Sequence, residues 1–557
     1  MRQRYHPILI IKQKLRQVST IFLFLIFILI QFACPNPPED KPPPEPPQNN
    51  SINLSLISAN TYTAQFRVSA GDTLVDWMYS LQRNGEEILS AIVFSSDTMF
   101  TDSNLTANTE YIYKAFMQDE DEKVDSTASV TINTLEEIIN LELISTFTTT
   151  SRFRISIPDS TIAWSFDLYR DGFNVFSTNV YQKDSVIIDG GLSPNTQYSY
   201  QAVWIYENSA IDTSENVIAQ TMDTTSHNFV WEIDTLGGYN SVIFDVNIVD
   251  ENNIWVVGMI KIPDPDSSFN GTGWESFNAA HWDGNDWELL RLEYSDYGEA
   301  IEGIAIIAFS ENDILVSAGT LFDWDGNEWN RWDIEIGTFP GGINTFWGTS
   351  SSNLYFVGRD GSIVHYDGST FTEMESDTEV DLEDIDGTED GQHVFVSGFN
   401  SSGYNNTSPL FHIHNGEVTK EYESTYPWGN ETDWGRIEAL EVIGDTAYLS
   451  TWGRDWIAYN YLTDEYIEHN YNTIPEFYGT RVVDISSNGI NDITCIDATG
   501  EIIHFNGLNW KKNIEIHQTF SGALSVKKSK MKDDLVVFVG RNGAWINGIV
   551  VRGKRTN

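Results

Sequence analysis

Apolar and polar positions follow one module through the second half of the chain. In Asn353 to Met374 the apolar run Leu354 to Val357 ends at Gly358, and the segments Ser362 to Tyr366 and Thr370 to Met374 then flank Asp367-Gly368. A short apolar run closed by glycine suits a strand buried on both faces between packed sheets. Asp-Gly is the dipeptide that a two-residue hairpin favours, because both turn residues take positive φ. The module therefore predicts three short strands and two tight turns.

The same turn recurs at Asp283-Gly284, Asp325-Gly326, Asp367-Gly368, Asn415-Gly416, Asn506-Gly507 and Asn547-Gly548, with glycines 42, 42, 48, 91 and 41 residues apart. The longest interval holds a degenerate copy at Ala447 to Ile467, with Thr463-Asp464 as its expected turn, which makes seven copies. A period in the low forties with about four strands per copy predicts a β-propeller, because one blade cannot bury its faces alone and a closed ring can. Aromatic residues open the outer strands at Trp287, Trp329, Phe371, Tyr466 and Trp510 and are expected to fill the wedges between blades. Closure has two readings. Phe229 to Ile233 could complete the last blade as its outer strand, removing an exposed edge, or Ile549 to Arg552 could close it.

Residues 51 to 224 hold another repeat, with a spacing of 87: Trp77 and Trp164, Arg83-Asn84-Gly85 and Arg170-Asp171-Gly172, Leu105 and Leu192, Tyr111 and Tyr198. The segments Leu105 to Tyr113 and Leu192 to Tyr200 resemble the tyrosine corner of fibronectin type III domains, although Ala107 stands where a proline is usual. The resemblance implies a core-plugging leucine and a tyrosine hydroxyl bonded back to backbone at a sandwich edge. The expected fold is all-β, two fibronectin type III (Ig-like) sandwiches at 51–136 and 137–224 followed by a seven-bladed β-propeller at 225–557.

The N-terminus reads as an export signal over residues 1–33. Arg2, Arg4, Lys12, Lys14 and Arg16 precede the apolar run Ile21 to Ile30, which is too short to span a membrane, and then Ala33-Cys34. This resembles a bacterial lipoprotein signal, with Gln31 and Phe32 departing from the usual pattern, and implies Cys34 as the lipidated first residue. Residues 34–50 are rich in proline and predict a stiff, extended tether. The other cysteine, Cys495, lies in the apolar strand Ile493 to Ile496 and reads as a buried thiol. A formal charge of −49 disfavours nucleic acid as a partner and leaves the lipid as the expected tie to a membrane. The whole build resembles cell-envelope lipoproteins of the Bacteroidetes type, which implies an outer-membrane location, surface-exposed or periplasmic.

Candidate chemistry is sparse. No nucleophile elbow, phosphate loop, dinucleotide fingerprint or zinc spacing is present. The turns resemble sialidase Asp boxes, but Asp367 to Phe371 is one residue short of that motif. The acid-rich run Asp381 to Asp390 lacks the spacing of a hand-type calcium loop. His281, His365, His414 and His504 stand two or three residues before turn glycines, and equivalent positions in different blades cannot converge on one ion. Neither a metal nor a cofactor is expected. Arg359, Arg454 and Arg541 follow second strands, so they share one rim of the ring, where Trp428, Trp434, Phe477 and Tyr478 lie in loops between blades. Planar arginine forks beside aromatics suit a glycan or protein ligand. A lipid-anchored binding protein is the leading expectation; a carbohydrate-active enzyme and a structural envelope protein are the alternatives.

Overall fold

The computed structural model describes residues 51–556 apart from 72–76, 94–96, 120–121, 137, 158–163, 181, 207–208, 266–272, 295–299, 401–406, 426–432, 453–454, 470–473, 478–480, 498–499, 514–523 and 544–546. The signal region, Cys34, the tether, Trp428, Arg454 and Tyr478 thus lie outside the described residues. The chain divides into two compact units, one ending at Thr221 and one beginning at Met222.

The first unit contains the 87-residue repeat. Its first copy pairs Ile52–Ala59, Ala64–Ala70 and Asp97–Asp102 in one sheet and Trp77–Arg83, Glu86–Val93, Glu110–Asp119, Glu122–Ser126 and Val130–Asn133 in another. Alternate residues of both sheets, among them Phe66, Val68, Leu81 and Tyr113, meet in one core. The second copy repeats the arrangement around Phe153, Phe166, Tyr200 and Trp204. The repeat holds at the level of single bonds. Tyr113 donates to Asp102 at 2.7 Å beside Arg83, and Tyr200 donates to Asp189 at 2.7 Å beside Arg170. The Tyr111 hydroxyl accepts the amide of Thr106 at 2.8 Å, and that of Tyr198 the amide of Ser193 at 2.9 Å. Leu105 and Leu192 are buried.

In the second unit the described residues form seven four-stranded antiparallel sheets. The first strands of six are Val242–Asp250, Ala305–Ser310, Thr345–Ser350, Leu382–Gly387, Ile437–Ile443 and Val482–Ser487, each followed by its other three strands in chain order. The seventh begins at Leu524–Lys532 and runs through Leu535–Asn542 and Asn547–Arg555 to Phe229–Leu236. These first strands touch in succession, and the last touches the first, so the sheets close into a ring. Of the two readings of closure, the outer-strand one holds: Phe229 pairs with Arg555 and Leu236 with Gly548. A network pins this joint. His504 lies between His227 at 2.8 Å and Asp492 at 2.8 Å, and Arg555 grips the same Asp492 at 2.5 Å.

Most of the repeated turns differ from the two-residue hairpin. Tyr366 pairs with Phe371, so four residues form the loop, and only Gly368 has positive φ. Asp367 Oδ1 instead accepts the amides of Ser369 and Thr370 at 2.9 and 2.8 Å, a side chain standing in for a backbone turn. Asp283, Asp325 and Asn506 do the same. So does Asn460, which pairs with Glu465 around the loop 461–464, so the expected Thr463-Asp464 lies in the turn of the degenerate copy, with Asp464 at φ 56°. Asn415-Gly416 is the two-residue form, with φ of 53° and 78° between paired His414 and Glu417. Asn547-Gly548 is no turn at all; it opens a strand.

Candidate functional site at the mouth of the ring

The rim that carries the second-strand exits also carries the segments between sheets. Gly358 makes room there: a Cβ on it would lie 2.2 Å from the carbonyl oxygen of Gly342. The Arg359 amide donates to the carbonyl of Gly341 at 3.1 Å, which seats the segment between the second and third sheets against the turn. Asp360 and Gly361, both at positive φ, then reverse the chain and leave Arg359 exposed.

Between the second and third sheets this packing leaves a cleft of about 590 Å³, lined among others by Ile304, Ile334, Glu335, Phe339, Asn344 and Arg359. Its chemistry is mixed. Ile304 and the adjacent Ile301 and Ile336 are apolar and exposed, Ile336 completely so. Phe339, half-buried, packs against Phe356 and Phe371, with centroids 5.1 and 5.4 Å away.

Arg359 belongs to a larger basic group. It and Arg436 both act on Glu383, which burial and Asp381 push above the ordinary carboxylate range against their pull. Arg436 lies over the ring of Phe399 at 3.1 Å and pairs with Glu438 at 2.6 Å, and Arg481 covers Trp452 at 4.6 Å while bonding the same glutamate at 2.8 Å. Lys527 is held below the usual lysine range by burial and by Arg541. Among the described residues, a protein of charge −49 thus gathers five cations, Arg359, Arg436, Arg481, Lys527 and Arg541, around one mouth.

Beneath the mouth the ring's axis holds a second set of charges around a cavity of about 120 Å³. Here each carboxylate fastens one sheet to another. Asp245 accepts the amide of Ile306 at 2.9 Å, Asp384 that of Leu440 at 2.8 Å, Asp386 that of Val442 at 2.6 Å and Asp484 that of Ser529 at 2.5 Å. Asp245, Asp384 and Asp484 each sit at a bulge in a first strand, and Lys528 stands at the same bulge in the seventh sheet. It bonds Asp384 at 2.7 Å and Asp484 at 3.3 Å. Burial pushes Asp245 and Asp386 up to about 6, and burial together with Asp386 pushes Glu441 up to about 8.

The structure sorts the expected rim residues. Arg359 lines the cleft, and Arg541, half-buried, ends a second strand of the basic group. Trp434 and Phe477 are buried. Trp434 stacks on Tyr422 at 4.1 Å and Phe477 packs against Trp510 at 5.2 Å, both buried between sheets. Arg436, Arg481 and Lys527 escaped the sequence reading, though their position at or just before first strands is a readable signal. Two expected single histidines are structural partners of asparagine: His281 with Asn253 at 3.0 Å and His365 with Asn353 at 2.8 Å. Cys495 is buried, and burial holds its thiol protonated. Among the described residues no helix is long and apolar enough to cross a membrane.

A closed ring of radial four-stranded sheets, tied at the axis and sealed by an N-terminal outer strand, defines a β-propeller. No family model matches the chain, and no curated protein does. Among solved structures, YCF48 bound to D1 peptide aligns at 13% identity and TM-score 0.44, over 60% of this chain and 100% of its own. BamB from Moraxella catarrhalis aligns at 15% identity and TM-score 0.31, over 56% of this chain and 85% of its own. Likeness of this size carries no argument about what the chain binds.

Proposed function

We propose that this chain is a binding protein of the cell envelope, in which two fibronectin type III domains at 51–136 and 137–224 present a seven-bladed propeller at 225–557. In this reading Cys34 carries the lipid anchor and residues 34–50 are its tether. The mouth of the ring takes an acidic segment of a protein partner. The observation that carries the reading is the cleft beside Arg359, where exposed aliphatic side chains adjoin a basic group on an otherwise acidic protein. A sugar ring asks for an open aromatic face. Trp434 and Phe477, the described aromatics expected to offer one, are packed inside, which favours a peptide over a glycan. Carboxylates suit the arginine fork, and apolar side chains suit the isoleucines.

The test is selection of a random peptide library on the chain, beside a glycan array and an Arg359→Glu variant. Selected peptides should pair Asp or Glu with aliphatic residues, and charge reversal should weaken them by about tenfold or more, an effect shrinking with added salt. Binding indifferent to Arg359, or confined to glycans, would contradict the proposal.

A further inference from the structure

The fourth sheet of the ring brings three histidines onto one face. His393 opens the strand His393–Gly398, and His412 and His414 lie two apart in Ser408–His414, so both project to the same side. The strand register sets His393 directly opposite His414 and Phe395 opposite His412. The rings stack, His393 on His414 at 4.2 Å and 6° and on His412 at 5.1 Å and 22°. One ring nitrogen from each histidine lies within 4.8 Å of the others, and His393 Nδ1 meets His412 Nε2 at 2.9 Å.

The outer nitrogens are occupied in the way a metal-binding imidazole requires. His414 Nδ1 donates to the carbonyl oxygen of Gln392 at 2.7 Å, which leaves its Nε2 as a lone pair. His412 Nδ1 faces the carboxylate of Glu421 at 3.4 Å, which leaves its Nε2 directed at His393. Oxygen partners behind imidazoles fix the tautomer and raise ligand basicity in metal sites. The other stacked histidines of the ring, His281 on Trp255 and His365 on Tyr355, bond single asparagines instead.

We propose that His393, His412 and His414 bind a divalent transition-metal ion of the zinc and copper class through three imidazole nitrogens. Such donors select these ions over calcium or magnesium. With metal–nitrogen bonds of about 2.0–2.1 Å, tetrahedral ligand nitrogens sit roughly 3.3 Å apart. The His393–His412 pair is already close to that, and rotation of an imidazole draws in the third. The ion takes the place of the proton shared between His393 and His412.

The test is calorimetric titration of the chelator-stripped full chain with Zn²⁺, beside His412→Gln and, as a control on the many surface carboxylates, His281→Gln. Wild type and His281→Gln should bind one tight equivalent, and His412→Gln should lose about a hundredfold or more in affinity. A second measurement needs no variant: Cu²⁺-loaded wild type should show nitrogen hyperfine structure in its paramagnetic resonance spectrum. No saturable equivalent in wild type, equal affinity in His412→Gln, or a copper spectrum without nitrogen coupling would each overturn the site.

Discussion

Replacing Lys528 with methionine tests how the ring is held at its axis. The substitution keeps the length of the side chain and removes the cation that joins Asp384 of the fourth sheet to Asp484 of the sixth from the seventh. Both carboxylates retain amide or hydroxyl donors, from Leu440 and Ile385 and from Ser529, so neither is left bare. Their charges, however, then face one another with only Lys530 left to offset that of Asp484. Removing one partner of a buried pair costs about 3–5 kcal/mol. The lysine side chain is 24% exposed, which favours the lower end of that range. The loss should read out in urea unfolding followed by tryptophan fluorescence, in the transition of the ring. It should be about 3 kcal/mol at neutral pH and smaller at more acidic pH, because Asp484, already raised by burial, takes up a proton more readily once its cation is gone. A loss below about 1 kcal/mol, the level of an exposed pair, or one that does not change with pH, would refute this account of the axis.

Three further variants probe the axis and the sandwich corners. Glu441 is pushed up to about 8 by burial and by Asp386, so its proton belongs to the folded state. The stability it contributes is fully present below about 4.5 and is lost progressively as pH rises to about 8; Glu441→Gln should flatten the fall of the melting temperature across that interval, and parallel curves would contradict this. Tyr198→Phe removes the acceptor of the Ser193 amide and should cost about 1 kcal/mol in urea unfolding, as should Tyr111→Phe at Thr106; two neutral variants would remove the corner's structural role.

Much of this architecture was legible in the chain because its units repeat. Gly358 and its counterparts mark where one segment must pass close to another, and that steric demand shows as glycine at a fixed place after an apolar run. The turns were legible in place but not in kind. Asp-Gly serves both a two-residue hairpin and an Asx-bonded loop of four, and what separates them is the aromatic four positions after the aspartate, as at Asp367 and Phe371. Asn547-Gly548 kept the interval by coincidence. The site was harder to read for a different reason. An aromatic in a connecting segment looks the same whether it points inward or outward, and Trp434 and Phe477 point inward. The basic group depends on residues distant in sequence meeting at one mouth, and the three histidines depend on a hairpin register that sets His393 against His414.

Hydrogen–deuterium exchange of the chain with and without a peptide captured from the selection tests the binding reading most directly. Protection at Ser317 to Thr320, Ile334 to Asn344 and Arg359 to Gly361 is the predicted result, since these stretches wall the cleft. Protection confined to residues before Thr221, with the mouth of the ring unchanged, would contradict it.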